Sequence, residues 1–173
     1  MSGGVTKNLT RRERRVAAFF KEEGFKRPYL MVAAMKEADI SPATAAALIA
    51  METGDGSMIF GCDHGPGQAF CHEKVTKAKV QALLAGPLAN GVGATQLTFK
   101  PFVQEADAAG GAHLYFPNVL TGFRILRRNF DASGQNLRSA YRLFNGSGQA
   151  AEEYADKAMA KREEYKRKLE LVP

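Results

Sequence analysis

Ser41-Pro42-Ala43-Thr44-Ala45-Ala46-Ala47-Leu48-Ile49-Ala50-Met51-Glu52-Thr53-Gly54 reads as a helix buried on most of its sides. Ser41 is a good N-cap, and Pro42 suits a first helical position that needs no backbone N–H. Gly54 permits the left-handed residue that ends a helix. Glu52 is then the one ionisable group on the segment and stands in its last turn. The negative end of the helix dipole and apolar neighbours both disfavour a charged carboxylate there. A carboxyl that keeps its proton near neutral pH is what a general acid needs. The plainer reading is a glutamate at the solvated end of a core helix.

Around this segment the pattern stays helical. Thr10 caps a helix over about 11–23, with Val16, Phe19 and Phe20 inward. A second helix over 28–38 follows, with Leu30, Met31, Ala34 and Met35 as its apolar stripe. Thr76 caps a short helix to Ala85, and further helices are expected over 101–109, 117–130, 136–144 and 149–169. The last carries pairs such as Glu153–Lys157 and Glu163–Arg167 and reads as exposed. Asn90-Gly91 and the residues to Phe99 suggest a small β-hairpin or extended turn. Residues 54–73 are Gly-dense and aperiodic, a loop long enough to be functional. The expectation is a mainly α fold of about eight helices.

With 173 residues, 45% hydrophobic and 24% charged, the chain fits one globular domain with a real core. No run approaches the roughly 18 apolar residues of a membrane span, and no signal peptide is recognised at the N-terminus. The net charge of +6 is uneven. Residues 1–28 hold eight Lys/Arg (Lys7, Arg11, Arg12, Arg14, Arg15, Lys21, Lys26, Arg27) against three acids, whereas 151–173 balance six against six. Such a patch favours a polyanion, either nucleic acid or an acidic cell envelope, although each residue alone reads as a solvated helix face.

Cys62 and Cys71 lie nine positions apart in the Gly-rich loop. Three readings are open: a local disulfide, a metal site with His64 and His72, or two free thiols. The Cys-x-His and Cys-His spacing matches no standard zinc pattern, and the disulfide is favoured.

Three strings are not explained by packing alone: Ala50-Met51-Glu52-Thr53-Gly54, Gly91-Val92-Gly93-Ala94-Thr95-Gln96-Leu97-Thr98 and Ala140-Tyr141-Arg142-Leu143-Phe144-Asn145-Gly146-Ser147-Gly148. In this order they resemble the lysozyme-like superfamily of goose-type lysozymes and soluble lytic transglycosylases. From Val75 onward the chain looks especially like the muramidase domains of phage endolysins that attack actinobacterial walls. The resemblance covers about residues 41–165 of a single lysozyme-like catalytic domain, which could be one domain of a longer endolysin. It implies a helical globule with a small β-hairpin and a long Gly-rich loop beside a cleft.

The resemblance also implies roles. Glu52 would protonate the oxygen of a β-1,4 bond between N-acetylmuramic acid and N-acetylglucosamine. Thr53 follows it, Thr95 and Gln96 would line the cleft floor and bind sugar groups, and Tyr141 and Asn145 would lie behind Glu52. Tyr141 as a core aromatic and Asn145 as a helix C-cap are the plainer alternatives. A water-activating base is the open point. Thr98 stands where some goose-type relatives carry Asp, which leaves Asp63 as the best candidate with Asp55 behind it. An inverting pair would stand roughly 6.5–9.5 Å apart, whereas a transglycosylase needs Glu52 alone and forms 1,6-anhydro ends. The expected partner is a peptidoglycan strand, acted on by a monomer with no cofactor, no metal, no nucleic acid and no membrane insertion. The protein would be made in a host cytoplasm and reach the wall on release. The rivals are a helical DNA-binding protein using Arg11–Arg15, and a wall-binding relative without catalysis.

Overall fold

The computed structural model describes residues 9–62, 68–87 and 89–171. Eight helices account for most of them: α1 (Arg11–Glu22), α2 (Pro28–Glu37), α3 (Pro42–Glu52), α4 (Lys77–Ala85), α5 (Lys100–Ala108), α6 (Tyr115–Ala132), α7 (Leu137–Asn145) and α8 (Gln149–Glu170). The fold is mainly helical, as the periodicity predicts. Thr10 closes a capping box with Glu13, and Ser41 and Thr76 each accept the N–H three residues on.

α6 begins at Tyr115, two residues before the expected start. Pro117 still falls in the first turn, where its missing N–H costs nothing. α8 forms an i,i+4 ion pair, as expected, but between Glu164 and Lys168 (3.1 Å), with Lys161–Glu164 (3.5 Å) beside it, rather than at Glu153–Lys157 and Glu163–Arg167.

Seven consecutive α3 residues, Ala43 to Ile49, are buried. α3 packs against α2 and α8, and α8 presents Ala151, Ala155 and Ala158, all buried. Alanine facing alanine lets the helix axes come close, which is how so small-sided a helix can sit at the centre. Phe20, Met31, Phe123 and Tyr141 complete this first core.

A second core lies under the segment between α3 and α5. Phe60, Val80, Leu83, Val92, Leu97 and Val103 pack there against Ile125 of α6. Where a hairpin was expected, Val92 and Leu97 form a single antiparallel bridge with reciprocal hydrogen bonds of 3.0 and 3.1 Å. Phe60 pairs with Val92 and Ile59 with Lys74, and these isolated bridges replace strands among the described residues. Cys62 and Cys71 are joined in a disulfide with Cα atoms 4.8 Å apart. No described helix is long and apolar enough to cross a membrane.

Candidate active site

A cleft of about 930 Å³ opens between the two cores. One side is helical: Met51 and Glu52 from the end of α3, Leu143 to Asn145 from α7, and Tyr154 from α8. The other side is irregular backbone: Ile59 to Cys62, His72 and Gln96 to Phe99. Phe99 and Leu143 are 61% and 42% exposed, so the lips carry apolar surface left open to solvent.

Glu52 is half-buried as the last residue of α3, as the sequence places it. The Tyr154 hydroxyl donates a short hydrogen bond to Glu52 Oε1. Burial pushes the Tyr154 phenol far above its usual range, and the neighbouring Glu52 carboxylate raises it further. Tyr154 therefore keeps its proton and points it at the acid. Sequence reasoning missed this residue. Its signal was available: Tyr154 adjoins Ala151, Ala155 and Ala158 on the buried stripe of α8, where a phenol must find a partner.

Thr53 ties the acid to the opposite wall. Its hydroxyl donates to Ala94 O (3.1 Å) and accepts from Gly56 N (3.1 Å). Gln96 lines the cleft, but its amide Nε2 donates to Gly93 O (2.7 Å) and Ile59 O (3.1 Å), pinning the loop wall. A Cβ on Gly61 or Gly91 would come within 2.0 or 2.5 Å of Gln96 Oε1, so both positions must be glycine for the amide to lie there.

One expected floor residue, Thr95, is displaced from the cleft. Thr95 is fully buried, with its N–H donating to Asn118 Oδ1 at 3.2 Å and its hydroxyl bonded to Asn118. It supports the floor from beneath, because the turn that exposes Gln96 turns its neighbour inward. Tyr141 is likewise fully buried and donates to Thr44 O (3.1 Å), two turns back along α3 from Glu52. It is the core aromatic of the two readings above. Asn145 is exposed on the cleft rim as the last residue of α7.

Asp55 points away from the cleft. Its carboxyl is partly desolvated, which raises its pKa, but the Ser57 N–H (2.8 Å) and Lys26 (3.7 Å) outweigh that and hold it below the usual range. Asp63 and His64 lie outside the described residues. A four-ligand metal site is overturned by the disulfide, which takes both sulfurs. Among the described residues lining the cleft, Glu52 is the only carboxylate.

The arrangement can deliver one proton, from a carboxyl on a helix end, to a ligand held in the cleft. Comparison with family models, with curated proteins and with solved structures finds no match to the chain.

Proposed function

We propose that the protein is a peptidoglycan glycosidase of the lysozyme-like kind, with Glu52 as its general acid. The observation that carries this reading is the Glu52 carboxyl at the end of a buried helix, bonded to Tyr154 and facing a 930 Å³ cleft. Gln96 on the facing wall, with the reciprocal Val92–Leu97 bridge beside it, supports the same reading.

In the reaction, the Glu52 proton passes to the bridging oxygen of the β-1,4 bond as that oxygen leaves C1 of N-acetylmuramic acid. In a hydrolase a water attacks C1, and Asp63 is the candidate to take its proton. Tyr154 holds the Glu52 carboxylate in place once the proton has gone. The basic α1 face, at the other end of α3, would assist docking on an anionic wall. We assign the enzyme to phage-driven lysis, acting as a monomer on the wall after release from the cytoplasm.

A transglycosylase is the second reading, and two observations favour it. Thr98 rather than an acid lines the cleft, and Asp55 is turned to Lys26. There the sugar's own 6-hydroxyl attacks C1 and gives its proton to the Glu52 carboxylate, leaving a 1,6-anhydro end.

The test is clearing of an actinobacterial wall suspension by the wild type but not by Glu52→Gln, followed by mass spectrometry of the released muropeptides. Reducing ends identify a hydrolase, anhydro ends a transglycosylase. Clearing by both proteins, or by neither, defeats the proposal.

A further inference from the structure

Met51 lines the cleft. That residue also lines a shallower depression of about 400 Å³, whose remaining lining is Lys157, Ala160, Lys161, Glu164 and Arg167 of α8. Tyr154, Lys157 and Lys161 follow one another at i, i+3 and i+7, so one face of α8 carries the phenol on Glu52 and then two ammonium groups.

The depression presents three cations to one carboxylate, and that carboxylate is already shared between Lys161 and Lys168. Lys157 and Arg167 are exposed and join no ion pair among the described residues. Elsewhere α8 pairs its charges across helices, as in Arg138 with Glu152 and Asp156, and Lys168 with Glu23. Unmatched positive charge is thus gathered beside the acid.

Resting on the glycosidase reading above, we infer that this shelf receives the carboxylates of the peptide side chains on a glycan strand seated against Glu52. Met51 lines both the shelf and the cleft, so an occupant of the shelf would hang from sugars near the reacting bond. Peptides are borne by the muramic sugars all along a strand, whereas phosphodiester polymers are attached to occasional ones. Lys157, Lys161 and Arg167 are flexible and solvated, so each contributes little alone, and the three act together.

The test compares the wild type with Lys157→Gln/Lys161→Gln/Arg167→Gln on two substrates: glycan strands stripped of phosphodiester polymer, and the same strands after an amidase has removed their peptides. A second variant, Lys36→Gln/Lys77→Gln/Arg124→Gln, removes equal charge from α2, α4 and α6, away from the cleft, the shelf and α1. On peptide-bearing strands the shelf variant is expected to show a KM on the order of tenfold higher, with kcat within about twofold. On peptide-free strands it should match the wild type, and the second variant should match the wild type on both. The KM gap should close at about 0.5 M salt. An equal rise for both variants, a rise on peptide-free strands, or no rise at all overturns the shelf while leaving the glycosidase reading intact. Failure of the wild type to cleave either strand overturns both.

Discussion

The two walls of the cleft are built on different physics. The helical wall is held by apolar contact: α3 packs against α8, whose Ala155 and Ala158 share its core, and its own buried residues are mostly alanine. The loop wall is held by polar groups taken out of water. Asn118 is fully buried; its Nδ2 donates to Val92 O (2.9 Å) and its Oδ1 accepts from Thr95 N. Asn90 Nδ2 donates to Gly61 O (2.9 Å), Gln96 spans Gly93 and Ile59, and the Cys62–Cys71 bond closes the rim. Glu52, the proposed acid, sits on the wall that packs. The wall that shapes a groove needs irregular backbone, and irregular backbone needs partners for each buried N–H and C=O.

The largest effect expected is chemical and belongs to the helical wall. Glu52→Gln should lower wall-clearing activity by about 10²- to 10⁴-fold, or roughly 3–5 kcal/mol in the barrier. The thermal midpoint should stay level or rise, because an acid held for reaction is replaced by a neutral amide of the same shape. Retention of more than about a hundredth of the activity would remove Glu52 from the acid role.

That asymmetry also governs what the sequence discloses. Packing walls write periodic patterns, and Thr10, Ser41 and Thr76 mark helix starts by a chemistry of their own, so α1, α3 and α4 and the place of Glu52 are legible. α8 is harder. Its buried stripe is mainly alanine, which carries a weak hydrophobic signal beside so many charges, so Tyr154 passes unnoticed inside a helix read as exposed. The loop wall is legible only as glycines and amides. Gln96 has φ of +45°, and that left-handed turn sends Thr95 under the floor, a direction no string of residues states. Tyr141 faces the core for a similar reason: its place in the string is readable, but the side of α7 it occupies is set by α3.

Next in size is a break in the loop wall. Asn118→Leu keeps much of the volume but leaves the Thr95 N–H without its partner and removes one of the two hydrogen bonds to the Val92 carbonyl, which keeps the Leu97 N–H. The orphaned N–H costs about 1–3 kcal/mol and the lost second bond about 1 kcal/mol, so a net loss of roughly 3 kcal/mol is expected. Urea midpoints would measure it. Amide exchange should quicken at residues 91–97 while α3 stays protected. Uniform quickening in both would show that the walls unfold as one, and the contrast drawn here would fail.

The disulfide is a milder restraint on the same wall. Its loop spans nine residues, and a closure of that length is worth about 2.5 kcal/mol through the unfolded chain. Cys62→Ser/Cys71→Ser should lower stability by about that amount. Cleavage should fall as well, because Cys62 and His72 line the cleft. A full loss of stability with activity intact would mean that the rim takes no part in holding substrate.

The smallest effect returns to the helical wall and turns on pH. Tyr154 holds its proton far above the ordinary phenol range when folded, because burial and the Glu52 carboxylate disfavour phenolate. An unfolded tyrosine ionises near pH 10. Above that the unfolded chain has lost a proton that the folded one retains, so stability is fully present below about pH 10 and falls as pH rises. Each such tyrosine contributes about 1.4 kcal/mol per pH unit to the decline. Tyr115 and Tyr141 are raised in the same direction by burial and should act alongside it. Tyr154→Phe removes one share, so its denaturation midpoint should fall less steeply between pH 10 and 11 than that of the wild type. Equal slopes would mean that the phenol meets solvent in the folded protein, and the restraint on Glu52 would then have to come from elsewhere on the cleft.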